Sequence, residues 1–265
     1  MKLFYRKTGT GPPLVILHGL YGSSDNWVTF SKRLENSFTI YLPDQRNHGR
    51  SPHDSVHDYE SMSNDLFELV GELKPGKIFL AGHSMGGKTA VAFALKWPEI
   101  ISGLLIADVS PFKNGNQLGS SYNKHLSILN VLKSFDLSVI SSREEAESIL
   151  AHKITSGKER ALILKNLHRK SDYGFEWKLH VDALHANIEK IMEGINPDDS
   201  AYMPVTGFPV IFLRAGDSDY LPYSDFRDIL EVFPAAEFVT IPGAGHWIQV
   251  DKPEEVAMNI RKLLE

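Results

Sequence analysis

The chain has 265 residues, no cysteine and a formal charge of −5, from 28 basic and 33 acidic side chains. That excludes disulfides, thiolate nucleophiles and cysteine-ligated metal sites, and the near balance of charge gives no broad attraction to nucleic acid or to an acidic membrane. The length suits one large α/β domain, or one such domain carrying an insertion. No apolar run reaches bilayer-spanning length and Met1-Lys2 opens no signal-peptide pattern, so the expectation is a soluble cytoplasmic protein acting on a small, mostly uncharged molecule.

In chain order, residues 3–7 alternate apolar and polar side chains, as an edge strand does, and run into the turn-rich Gly9-Thr10-Gly11-Pro12-Pro13. Leu14-Val15-Ile16-Leu17 is a continuous apolar run, suited to a central parallel strand covered on both faces. It ends in His18-Gly19-Leu20-Tyr21-Gly22, a glycine-bearing loop that can aim a backbone N–H at a developing oxyanion. Ser23 or Ser24 can cap a helix over residues 23–34, and residues 38–42 read as the next strand. The polar loop that follows carries His48, but Asp44, Arg46 and Asn47 lie close enough to hold its shape by charge-assisted bonds, so a structural role is preferred for this histidine. Residues 59–73 place Met62, Leu66, Leu69 and Val70 at helical spacing, with Asp65, Glu68 and Glu72 on the opposite side.

Ile78-Phe79-Leu80-Ala81 is a further buried strand, and it breaks into Gly82-His83-Ser84-Met85-Gly86-Gly87 before a helix-forming segment. Glycines two before and two after Ser84 allow the sharp strand-to-helix bend that lifts a hydroxyl clear of a sheet, the G-x-S-x-G nucleophile elbow. Gly82, Gly87, Lys88 and Thr89 also satisfy G-x-x-x-x-G-K-T, a phosphate-binding loop, and Asp108 at the end of the strand over residues 101–108 matches the acid that would hold Mg²⁺. Strand and helix alternate to this point, which argues for a doubly covered parallel sheet with its site at the carboxyl ends of the strands.

Residues 112–204 change character: they are helical, without an apolar strand. Leu126, Leu129, Leu132 and Phe135 form one face, and Ser142-Arg143-Glu144-Glu145 is a capping-box signature. We read an inserted cap on a core of residues 1–111 and 205–265, reconnected through Met203-Pro204-Val205-Thr206-Gly207. Residues 209–213 resume the sheet and lead to Gly216-Asp217-Ser218-Asp219. A helix over 224–233, a strand over 238–241, the loop Gly243-Ala244-Gly245-His246-Trp247 and a closing helix over 253–264 complete the chain.

The phosphate-loop reading explains Lys88 and Thr89 but leaves His18-Gly19 and Gly245-His246 without roles, and His-Ser-Met is a bulky filling for a loop whose N–H groups must converge on phosphate. The serine reading uses all three segments in the chain order serine, acid, histidine, and is preferred. The elbow, the loop His18-Gly19-Leu20-Tyr21-Gly22-Ser23, the run Asp44-Gln45-Arg46-Asn47-His48-Gly49-Arg50-Ser51 and the ending Gly243-Ala244-Gly245-His246-Trp247 together resemble the small YbfF-type acyl esterases of the α/β-hydrolase superfamily, across essentially the whole chain. The resemblance implies an α/β-hydrolase fold, a helical cap, and hydrolysis of a small-molecule carboxylic ester or thioester without metal or organic cofactor. Carbon–carbon bond hydrolases and perhydrolases share the expected triad, and a non-catalytic ligand-binding relative is the reading from a different class.

Ser84 is then the expected nucleophile and His246 the base, with the N–H groups of Leu20 and Met85 as oxyanion donors. The acid is Asp108, which matches the placement in the resembling esterases, or alternatively Asp219 at the end of Gly216-Asp217-Ser218-Asp219. His18, Tyr21, Trp177 and Trp247 are expected to line the substrate pocket, with Phe175 and Tyr122 as further candidates.

Overall fold

A seven-stranded sheet forms the centre of the computed structural model, which describes residues 1–112, 120–170, 174–196 and 204–265. Its strands are β1 (Tyr5–Thr8), β2 (Pro13–Leu17), β3 (Thr39–Pro43), β4 (Ile78–His83), β5 (Ile101–Ala107), β8 (Val210–Ala215) and β9 (Ala236–Ile241). β6 (Leu167–Arg169) and β7 (Phe175–Trp177) form a separate antiparallel pair. The sheet order is β1-β3-β2-β4-β5-β8-β9, with β1 antiparallel to β3 and every other pairing parallel. β2, β4 and β5 are buried on both faces, as their apolar runs require. The first strand begins at Tyr5 rather than at Leu3, because its partner β3 ends at Pro43, opposite Tyr5.

Core helices α2 (Tyr59–Leu73), α3 (Met85–Lys96), α9 (Phe226–Val232) and α10 (Pro253–Lys262) cover the sheet. Asp58 caps α2 by accepting the Ser61 N–H, and Lys74 ends it in the left-handed conformation. Asp65, expected on the outer side of α2, is buried because it pairs with Arg46. The helix expected over residues 23–34 is instead a 3₁₀ turn at Ser24–Asn26 and a single turn, α1 (Val28–Ser31). Asn26 and Asp44 cap the N–H groups of Ser23, at 2.8 Å, and Ser24, but the next N–H groups turn back only three residues, Asn26 to the Ser23 carbonyl and Trp27 to the Ser24 carbonyl, each at 3.0 Å.

Between β5 and β8 the chain forms α4 (Ser120–Lys133), α5 (Arg143–Ala151), α6 (Gly157–Leu164), β6, β7, α7 (Val181–Ala186) and α8 (Ile188–Glu193). The segment expected to hold no apolar strand does contain the short β6–β7 pair, whose sequences Leu167–Arg169 and Phe175–Trp177 form no apolar run. Ser142 caps α5 through the Glu145 N–H, while the Glu145 carboxylate reaches back to the Ser141 N–H at 2.8 Å, one residue before the position the capping box implies. Met203 in the returning connection lies outside the described residues. Among the described residues no helix is long and apolar enough to cross a membrane.

Candidate active site

The loops that leave the carboxyl ends of β2, β4, β5, β8 and β9 meet at one edge of the sheet. After β4 the chain passes through Ser84 at φ 54° and ψ −121°, and Met85 opens α3. The two elbow glycines are required by close approach: a Cβ on Gly82 would lie 2.2 Å from the Gly86 carbonyl oxygen, and one on Gly86 would lie 2.6 Å from the carbonyl oxygens of His18 and Leu17. As the first residue of α3, Met85 has an N–H with no acceptor within its own helix.

Asp108 follows β5 and is fully buried, at 0% exposure. Its Oδ1 accepts the Ala215 N–H at 3.0 Å; its Oδ2 accepts the Ser218 hydroxyl and, at 2.8 Å, the Nδ1–H of His246. With its Nδ1 proton directed at Asp108, His246 keeps the lone pair on Nε2. The imidazole is held from two further sides. Tyr220 stacks on it with ring centroids 3.6 Å apart, and His83, with its ring 4.7 Å away, donates Nε2–H to the His246 carbonyl at 2.7 Å. Asp219 is exposed in the loop after β8, while Ser218 beside it turns inward to Asp108.

Ser84, His246, His18, Leu20, Tyr21 and Trp247 line a cleft of about 510 Å³, roofed by His125 and Ile128 of α4 and Leu162 of α6. Trp177 does not line it. The β6–β7 pairing sets Trp177 opposite Leu167, and the indole packs on Phe135, ring centroids 5.7 Å apart, in a small cluster that also holds Phe175. Tyr122 also packs into the core rather than along the cleft. His18 is at the wall, but its nitrogens are already engaged: Nε2 accepts the Gln45 N–H at 2.9 Å and Nδ1 donates to the Gly19 carbonyl at 2.9 Å.

His48 lies under the same loop. Its Nδ1 donates to the Arg46 carbonyl at 2.9 Å and its Nε2 accepts the Tyr21 N–H at 3.2 Å. Burial holds the His18 and His48 imidazoles below their ordinary range and pushes those of His57 and His83 down to about 3, so these rings are neutral hydrogen-bonding frames. The expected network of Asp44 with Arg46 is replaced by two others. Arg46 forks onto Asp65 at 2.6 and 2.9 Å, and Asp44 accepts the backbone N–H groups of Ser24 and Arg50.

The groups of the phosphate-loop motif point elsewhere. Lys88 Nζ donates to the Met192 carbonyl at 2.9 Å, burial pushing it down to about 8, and Thr89 Oγ1 donates to the Met85 carbonyl of its own helix at 3.1 Å. Among the described residues, no group of three or more His, Cys, Asp or Glu side chains could hold a metal ion. Sequence reasoning missed Ser218, Tyr220, His83 and His125; the signal for the first three was their position in or beside the loops at the strand ends, and His125, within α4, carried no such signal.

A model of the alpha/beta hydrolase family matches residues 14–259. The sn-1-specific diacylglycerol lipase ABHD11 of Danio rerio is 33% identical over 264 residues, spanning 97% of this chain and 80% of that protein. Esterase YbfF of Escherichia coli strain K12 is 29% identical over 252 residues, spanning 95% of this chain and 92% of that protein. A solved structure of a marine microorganism esterase superposes with a TM-score of 0.94 and 41% identity, covering 99% of both chains.

Proposed function

The chain belongs to the alpha/beta hydrolase family, and from that premise we propose that it is a serine hydrolase that cleaves carboxylic esters of small acyl groups through an acyl-serine intermediate. The observation that carries the reading is the buried Asp108 holding, at 2.8 Å, the His246 imidazole that lines the same cleft as the elbow serine. The names of its relatives, esterase and lipase, support the same reaction class.

In this reading Ser84 Oγ attacks the acyl carbon while its proton passes to His246 Nε2. The imidazolium, oriented and stabilised by Asp108, then delivers that proton to the departing alkoxide, leaving the acyl group on Ser84. Water attacks the acyl-serine, its proton going to His246 and thence to Ser84 Oγ as the acid leaves. The N–H groups of Leu20 and Met85 receive the developing oxyanion, each contributing on the order of 3 kcal/mol to the transition state. Residues 112–204 act as the cap, contributing the roof of the cleft to a core of 1–111 and 205–265. The lining is mainly apolar around the two polar ends of the reaction, which suits an uncharged ester or thioester.

Hydrolysis of p-nitrophenyl acetate, butyrate and octanoate, together with labelling by a fluorophosphonate, tests the proposal. Turnover and stoichiometric labelling, both lost in Ser84→Ala, are expected. An unlabelled wild-type protein without esterase activity would assign the cleft to ligand binding alone.

A further inference from the structure

Tyr21 is held in a conformation its side chain disfavours. Its φ is 63°, in the left-handed region, where a bulky residue costs on the order of 1–3 kcal/mol and stays only when its surroundings over-determine it. All three of its polar groups are tied. The N–H goes to His48 Nε2 at 3.2 Å, the hydroxyl to the His125 carbonyl at 3.4 Å, and the carbonyl receives Asn166 Nδ2–H at 2.8 Å. His48 belongs to the core; His125 and Asn166 belong to the cap.

The Asn166 bond leads further. The Tyr21 carbonyl shares its peptide group with the Gly22 N–H, which donates at 2.9 Å to the Gly19 carbonyl. That carbonyl in turn shares its peptide group with the Leu20 N–H. A continuous line of amides therefore runs from the Asn166 side chain through two peptide groups to the Leu20 N–H. Each hydrogen bond fixes the plane of the next amide and polarises it in the same sense. A Cβ on Gly22 would lie 2.8 Å from the Gly19 carbonyl oxygen, so the tight turn that makes the middle bond needs glycine there.

Asn166 is itself a fixed anchor. Its residue is 2% exposed, its Nδ2 also donates to the Leu162 carbonyl at 3.2 Å, its N–H to Ile163 at 2.9 Å, and its carbonyl accepts the Lys178 N–H at 2.8 Å. Both side-chain amide hydrogens are thus used, one to hold the asparagine on the end of α6 and one to hold Tyr21.

We infer that Asn166, a cap residue, is a positioning residue for ester hydrolysis: through the Tyr21–Gly22 and Gly19–Leu20 peptide groups it aims and polarises the Leu20 N–H. The inference rests on the oxyanion role given above to Leu20. It makes the seating of the cap part of the oxyanion hole, not only the roof of the substrate cleft.

The test compares wild type with Asn166→Ala, which removes the donor, and Asn166→Asp, which sets an acceptor against the Tyr21 carbonyl. A misaimed oxyanion donor is expected to lower kcat roughly tenfold to a hundredfold with KM within about twofold. A trifluoromethyl ketone, which binds as an oxyanionic adduct of the serine, should lose affinity by the same factor. Should Asn166→Asp fail to fold, Asn166→Ala is read in the same way, and His48→Ala, which removes the acceptor of the Tyr21 N–H on the neighbouring peptide, should give the same kcat-specific loss. Unchanged ketone affinity in a folded Asn166→Ala, or a loss confined to KM, would overturn the inference. Failure of the underlying reading looks different: the wild type would hydrolyse no ester, or Ser84→Ala would remain active.

Discussion

Ser84 and Asp108 both carry a Cβ at positive φ, 54° and 50°, on adjacent strand ends, and each is locked by a backbone bond across the sheet: Ser84 N–H to Ala107 at 3.1 Å and Asp108 N–H to Leu213 at 2.8 Å. In Ser84→Ala and His246→Ala, turnover of a p-nitrophenyl ester is expected to fall roughly 10⁴-fold or more with the fold intact by circular dichroism, since members of a triad act as a unit. Asp108→Asn is expected to lose orders of magnitude in kcat while Asp219→Asn, altering an exposed side chain, keeps most of it; the reverse order in a side-by-side assay would move the acid to the loop after β8. The buried imidazoles give a pH prediction. His57, His83 and His125 are pushed down to about 3 by burial, against 6.5 for the free side chain. Their neutral forms are the folded forms, so the unfolded chain binds more protons below pH 6.5, and stability falls as pH drops from about 6.5 toward about 3. Urea midpoints measured at about pH 7.5, 6 and 5 should decrease in that order. At this scale the sequence was informative where chemistry demands a motif: the glycines around Ser84 and the late Gly245-His246 mark positions that the fold brings into one cleft. It was silent on Ser218, because which side chain of a four-residue polar loop turns inward depends on the backbone path after β8.

Among the elements, α3 joins the elbow to the cap through one buried amine. Lys88 Nζ sits at the carbonyl end of α8, donating to Met192 at 2.9 Å, while Tyr59 OH donates to Ile191 at 2.7 Å. Lys88→Ala removes a charged donor from carbonyls that stay buried, at a cost of about 1–3 kcal/mol. The thermal midpoint is expected to drop by several degrees with kcat changed less than about threefold, as differential scanning calorimetry and steady-state kinetics would show. Magnesium-dependent ATP binding that vanished in the same variant would instead point back to the phosphate-loop motif. The central strands β2, β4, β5 and β8 were legible because burial on both faces writes itself as apolar runs. α2 was legible from its 3.6-residue spacing. The segment over residues 23–34 misled because its start is capped as a helix start is, by Asn26 and Asp44 on the Ser23 and Ser24 N–H groups, while the backbone bonds that follow are those of a 3₁₀ turn. Trp177 was expected in the pocket as one of the aromatics of the segment after β5, and its position is instead decided by a three-residue strand pairing that no local pattern announces.

For the molecule as a whole, the cleft takes its floor from the strand ends and its roof from α4 and α6, and the two are clasped at the rim by Lys158 of α6 on Asp251 at 2.8 Å, with the same carboxylate accepting the Gly245 N–H at 3.0 Å. The proposed chemistry uses side chains and backbone amides throughout, so dialysis against a chelator should leave kcat unchanged; loss of activity restored by a divalent cation would count against it. The sheet order has a further consequence. β5 and β8 are direct neighbours, paired from Leu104 with Val210 to Ala107 with Leu213, although residues 108–209 lie between them in the chain. The sheet closes its hydrogen-bond ladder without the intervening segment, so that segment is expected to be exchangeable as a cassette. What a foreign cassette does not bring is the side-chain amide that grips Tyr21. Chimaeras made at this junction are therefore expected to fold and bind esters yet turn over slowly, and to recover when an asparagine is supplied where Asn166 stood. Chemical modularity in this scaffold ends where the roof begins to steer the peptide groups beneath it.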